Sequence, residues 1–394
     1  MSIAVDKIVK VDLNVVDTES SAITGYETVV YLVKSDDIGG AEEGKVYNNW
    51  TEFNTAYGTS DTNGIAKSVE VFFDNGGNKI ALYKYNKDTL DTILNNICSN
   101  HNDCLYIVAS NNAISSSADI KAICEKIDNI KAPLNKRLVI TTSNKQTIND
   151  LSDYGVVAFY TKLKAQSTNS NVLDIGLLVG SHTSRIALDG SATVTDICYT
   201  PVTIKLQDST GKTYEAFDDL TDEEMGIPSQ GTLFSKGSLA SVANFVSKVG
   251  NRILLFGGNL TNGVGIDTDF GCMAVENDIA NALVDVMTQK QYLTQQGLQV
   301  VLTRIKSLLT RYQTNGYVEM DSTYTGANIT KIYNGRKFSI ITNGTPMPAG
   351  FLVTAVPMNA ITQKDRLERR FTPIYVVMQT QKGARVVEVS GTVI

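Results

Sequence analysis

Four short apolar runs, at residues 79–85, 105–109, 138–142 and 156–160, alternate with two segments of helical period. No other feature constrains the fold as strongly. Leu90, Ile93, Leu94 and Ile97 mark the first helical stripe, and Ile120, Ile123, Cys124, Ile127 and Ile130 the second. Ser116 or Ser117 can cap the second helix, and Pro133 can stop it. Strands separated by helices favour a sheet with parallel pairs, because a crossover helix brings each new strand in beside the last with the same direction. Another apolar strand is expected at 28–33. Residues 26–183 therefore read as an α/β domain.

Both ends of the chain alternate with period two. Val9, Val11, Leu13 and Val15 share one face of a predicted strand, opposite Lys10, Asp12 and Asn14. At the other end Arg385, Val387, Val389 and Val393 share a face, and Gly383 in the preceding 379–383 segment is a candidate hinge. The N-terminal strand has no hairpin partner beside it in sequence. Burying its four apolar side chains is worth roughly 6–12 kcal/mol. Ordering about eight residues costs roughly 8–16 kcal/mol. Such an arm balances alone and gains when added to a partner's sheet.

Residues 184–265 read as an inserted, β-rich region. A strand is expected at 194–206, interrupted by Pro201. Asp218, Asp219, Asp222, Glu223 and Glu224 form an acidic cluster, in which Thr221 and Glu224 fit a capping box. Residues 266–394 open with two helices, carried by Val275, Ile279, Ala282, Leu283 and Val286 and then by Leu298 to Tyr312; Gly316 stops the second. Strands follow at 338–342, 351–356 and 373–379. The fold class is α/β and α+β, in several domains: 1–25, 26–183, 184–265 and 266–394.

Site chemistry is sparse. The chain of 394 residues has two histidines, His101 and His182, and five cysteines without a CxxC pair, so a zinc site is poorly supplied. No P-loop, GxGxxG or GxSxG occurs; the glycine-rich 257–265 stretch reads as a turn connecting domains. No catalytic residue, metal site or cofactor is expected. A net charge of −6 disfavours nucleic acid. No apolar run can span a bilayer, and the N-terminus lacks a signal-peptide pattern, so folding in a cytoplasm is expected. Only 19% of residues are charged, which suits contact with other protein.

Several stretches resemble contractile-tail sheath proteins. Val71-Phe72-Phe73-Asp74-Asn75-Gly76-Gly77-Asn78-Lys79 is similar to the family's helix end, turn and strand entry, with Asn75, Gly76 and Gly77 as the structural turn. Lys84 stands where the family usually has Arg. The helix pair, Gly316-Tyr317-Val318, residues 332–341 and Pro346-Met347-Pro348-Ala349-Gly350-Phe351 follow the order of the sheath core, with Gly350 where many sheaths have Glu. The resemblance implies an outer α/β domain inserted between terminal segments that build an inner core with exchanged strand arms. It implies self-association as hexameric rings in a helical array. The implied partners are a tail tube, a baseplate and a sheath terminator, in a virion tail or phage-like particle. Another virion structural protein and an α/β enzyme are the alternatives; the enzyme would need an acid, base or nucleophile set that the motifs do not assemble.

Overall fold

A computed structural model describes residues 26–58, 63–101, 103–114, 116–129, 136–165, 171–183, 197–221, 224, 243–289, 291–314 and 316–380. The two predicted arms, with Val9, Val11, Leu13, Val15, Arg385, Val387, Val389 and Val393, lie outside the described residues, as does Gly383.

The α/β part is a six-stranded sheet of β1 (Thr28–Lys34), β2 (Val46–Tyr47), β3 (Lys79–Tyr85), β4 (Cys104–Ala109), β5 (Arg137–Thr142) and β6 (Val157–Tyr160). Its order is β2-β3-β1-β4-β5-β6, parallel throughout except for the antiparallel edge strand β2. The central strand β1 is buried on both faces, which is why it reads as an unbroken apolar run. Val29, Tyr31 and Val33 enter one core, and Val30 and Leu32 enter the other. Helices α1 (Trp50–Tyr57), α2 (Ile65–Asp74) and α6 (Leu177–Thr183) supply the first core. Helices α3 (Leu90–Asn100), α4 (Ser117–Asn129) and α5 (Lys145–Asn149) supply the second. Ser116 Oγ accepts from the Asp119 amide at 3.2 Å, so the cap falls on the first of the two candidate serines.

After α2 the chain turns within three residues. Asn75 stays at φ −95° and is buried; its side chain donates to Val71 O and Thr203 O and accepts from the Thr203 amide. Gly76 takes φ 80°. A Cβ on Gly77 would sit 2.3 Å from the Phe72 ring. Three residues thus do three jobs: tether, left-handed turn and close approach.

The expected strand at 194–206 is corrected. Only β7 (Lys205–Gln207) forms in its described part, paired with β8 (Thr213–Glu215). Upstream, Tyr199 has φ 64° and Pro201 lacks an amide, so residues 199–202 touch β10 (Arg252–Phe256) only through scattered bonds. β10 pairs with β9 (Phe245–Val249). The Thr221–Glu224 capping box is formed reciprocally, at 3.0 and 3.3 Å.

Helices α7 (Ile266–Thr288) and α8 (Gln295–Thr314) pack together, and Asp278 accepts from both Arg311 and Tyr312. Gly316 turns the chain at φ 74°. Three small two-stranded sheets follow. β11 (Ser322–Thr323) pairs with β14 (Pro346–Met347), and β12 (Ile329–Tyr333) with β13 (Arg336–Ile341). β15 (Phe351–Ala355) pairs with β16 (Ile374–Met378), and the short helix α9 (Gln363–Leu367) lies between these two strands in the chain.

Candidate assembly surfaces

The β15–β16 pair has an open construction. Phe351, Val353 and Ala355, with Met378, Val376 and Ile374 across from them, turn to the core. Leu352 and Thr354, paired with Val377 and Tyr375, face away and stay partly exposed. Among the described residues no third strand pairs with either outer edge. Just beyond β16, Thr380 bridges Val318, so the chain leaves this sheet directly into the C-terminal segment. Free edges of this kind invite strand addition. Gly350, where the sheath resemblance would place a glutamate, has φ 71°, and a Cβ there would lie 2.1 Å from Glu319 O. No side chain fits that approach.

A second surface is basic. Residues 316–380 hold seven Lys and Arg against four Asp and Glu, a net +3, so the remainder carries −9 of the total −6. Lys331, Arg336 and Lys337 lie on the β12–β13 ribbon, and Lys364, Arg366, Arg369 and Arg370 on or beside α9. Tyr333 joins the two by donating to Asp365 at 2.6 Å. The nearby carboxylates are engaged: Asp365 also accepts from Thr362, and Glu368 pairs with Arg370 at 3.1 Å. Lys331 and Arg336 share the ribbon face of Tyr333, while Lys337 and the exposed Ile332 lie on the other face; Leu367 of α9 is also exposed. Such a face fits an acidic protein surface.

The place where a doubly wound sheet usually holds a ligand is the crevice at the carboxyl ends of β1 and β4, where the strand order reverses. Here it is filled from within. Asp174 accepts from the Tyr31 hydroxyl at 2.5 Å and from the Asn111 amide at 3.0 Å, and its own amide donates to Ser68 Oγ. Gly176 closes the lid by donating to Thr141 Oγ1. Burial lifts the Asp174 carboxyl to about 6 and, with that carboxylate alongside, raises the Tyr31 hydroxyl well above its usual range. An amide that could meet an anionic ligand thus meets the protein's own carboxylate.

The acidic cluster is likewise internal. Asp218 and Glu224 staple their segment to the end of β6: Asp218 Oδ1 accepts from Thr161 Oγ1 and the Lys162 amide, while Glu224 takes Tyr160 and Lys162 Nζ. Asp218 Oδ2 is buried without a hydrogen-bond partner among the described residues. Burial lifts Asp218 to about 6; for Glu224 burial acts upward too, but the Lys162, Thr221 and Tyr160 bonds outweigh it and hold it at about 2. A raised carboxyl binds its proton more tightly folded than unfolded. The ionised form therefore weakens the fold above about pH 6, and the penalty fades as pH falls toward the ordinary value of 3.8. Asp218→Asn keeps the accepting oxygen and removes the charge. It is expected to stabilise the protein by about 1–2 kcal/mol at neutral pH. In urea titrations the gain should vanish near pH 4; a gain that is independent of pH would refute the assignment.

His101 is buried against Tyr83 at 2.9 Å, and burial lowers it below its usual range. His182 lies against Thr200 at 3.4 Å. Among the described residues no group of three His, Cys, Asp or Glu could hold a metal, and no helix is long and apolar enough to cross a membrane.

No protein-family model and no curated protein matches the sequence. Solved structures do. The sheath complex of PVC, an extracellular contractile injection system in its contracted state, aligns over 95% of this chain and 95% of its own, with TM-score 0.61 and 15% identity. The contracted helical sheath of the anti-feeding prophage aligns over 95% and 94%, with TM-score 0.60 and 13% identity. The chain has the contractile-sheath fold. A chain of the anti-feeding prophage baseplate also aligns, over 95% and 97%, with TM-score 0.63 and 12% identity. At such low identity the likeness lies in the backbone path. Within this sheath fold, the stretches that carried the resemblance lie at the turn after α2, after α8, and at the entry to β15. The α/β alternation was legible in sequence; the meeting of the ribbon with α9 was not, because it depends on the fold.

Proposed function

We infer that the chain is a structural, non-catalytic subunit of a contractile tail sheath. It polymerises as stacked hexameric rings around a tail tube and contracts to drive that tube through a target envelope. The observation that carries this reading is the sheath fold, aligned over 95% of this chain and of the PVC sheath chain. The open-edged β15–β16 sheet supports it, since a lattice joined by exchanged arms needs such an acceptor. The N-terminal arm at Val9, Val11, Leu13 and Val15 and the C-terminal arm at Arg385, Val387, Val389 and Val393 add to sheets of neighbouring copies, with Gly383 as the bend. Residues 26–183 and 184–265 form the outer part, and 1–25 and 266–394 the inner part, whose basic face meets the tube. Baseplate and terminator proteins cap the array, which assembles in a bacterial cytoplasm as part of a virion or phage-like tail. Concentrated purified protein is expected to form tubes or stacked rings in negative-stain micrographs. A chain that stays monomeric by light scattering, with and without its tube protein, would refute the reading.

A further inference from the structure

Beyond the assembly surfaces, one side-chain pair spans the seam between the parallel sheet and the C-terminal helices. Arg137, the first residue of β5, grips Asp269 in the first turn of α7 with two parallel bonds: Nε to Oδ2 at 2.8 Å and Nη2 to Oδ1 at 2.7 Å. The residues lie 132 apart in sequence and are half-buried, with side-chain exposures of 24% and 12%. Asp269 suits the positive end of α7. Around the pair the seam is apolar: Tyr26, just before β1, meets Phe270 of α7 edge-on at 5.6 Å between ring centres. The buried Tyr106 hydroxyl of β4 lies near enough to feel both charges and has no hydrogen-bond partner among the described residues.

The 257–265 loop also attaches the helix pair to the sheet directionally. Its middle is tied to the segment before β6 through Thr261, which donates to Tyr154 O and accepts from the Val156 amide. Its end is tied to α7, where the Ile266 amide donates to Gly258 O at 2.8 Å. A body held at one point rocks about it, and apolar contact is non-directional. A guanidinium–carboxylate fork constrains both distance and plane.

We propose that the Arg137–Asp269 fork is the clasp that fixes the angle between the sheet and the C-terminal helix pair. The clasp belongs to the single chain, whatever the chain assembles into. If the sheath reading also holds, the clasp makes each subunit transmit contraction as one rigid body.

The test uses spin labels carried by unnatural amino acids at Asn96 on α3 and Ser307 on α8, both exposed, in the full chain. The wild type should show a single narrow distance. Arg137→Met should add a second distance or roughly double the width, and Arg137→Lys, which keeps the charge but loses the fork, should fall between. Asp269→Asn keeps the shape of the acid and serves if Arg137→Met does not fold. It should broaden the distribution in the same way, and the double variant should go no further than the wider single variant. A merely stabilising pair would lower the unfolding midpoint and leave the distances as in wild type. That outcome, in either variant, overturns the proposal.

Discussion

Deleting residues 1–16 should leave the subunit folded and abolish long tubes. The six-stranded sheet has β1 at its centre, hydrogen-bonded on both sides to β3 and β4, so it offers no internal place for another strand. Within the described fold the β15–β16 sheet, open along both outer edges, is one acceptor with room. A strand exchanged between copies contributes to the lattice and not to the monomer. The monomer's unfolding free energy is therefore expected to change by less than about 0.5 kcal/mol. Polymer seen by microscopy should fall to short rings or none. Val11→Asp and Leu13→Asp should act like the deletion, because each puts a charge on the face that a ladder buries. If removal of residues 1–16 instead unfolds the subunit, the strand belongs to its own sheet and arm exchange fails.

What the sequence disclosed and what it hid have separate physical causes. The strand at Lys79–Tyr85 was legible because seven residues of β-pattern follow a turn made of Asn75, Gly76 and Gly77, all local information. The order of the parallel strands was not legible. Crossover connections let β4 settle beside β1 rather than beside β3, and no local pattern says which. The run at 194–206 misled because β-branched residues report propensity only; the left-handed Tyr199 and the amide-less Pro201 decide against a ladder. The β12–β13 ribbon could have been found from Asn334-Gly335, with φ 50° and 70°, a turn signal flanked by strand-forming residues. Arg137 and Asp269 could not have been paired, since their meeting depends on how the helix pair docks on the sheet. Asp218 read as one acid of a cluster; its burial is a product of β6 and β9 closing over it.

Replacing Asn244 with Ala should be the most damaging polar-to-apolar change in the described fold. Asn244 is fully buried and uses its side chain in four bonds: it donates to Ala158 O at 3.0 Å and Asn259 O at 3.1 Å, and accepts from the Gly258 amide at 2.6 Å and the Asn259 amide at 3.3 Å. Its backbone meanwhile pairs with Ala158 and Tyr160, extending the sheet past β6. One residue thus ties the sheet edge to the start of the 257–265 loop. A Cβ on Gly257 would lie 2.6 Å from Ala243 O, so the loop cannot shift inward to find new partners. Alanine would strip the Gly258 and Asn259 amides and the Asn259 carbonyl of that partner, while the Ala158 carbonyl keeps the Asn244 amide, and each buried hydrogen bond lost this way costs about 1–3 kcal/mol. Partial relaxation and water entry reduce the sum, and the expected loss is about 3–5 kcal/mol in equilibrium urea unfolding. Asn244→Asp should fare no better, since it turns a donating edge into an oxygen facing two carbonyls and buries a charge. In native-state hydrogen exchange the Gly258 and Asn259 amides should lose protection first, ahead of α8. A loss below about 1 kcal/mol, or exchange at α8 that rises in step with the loop, would show that the loop is held by packing rather than by Asn244.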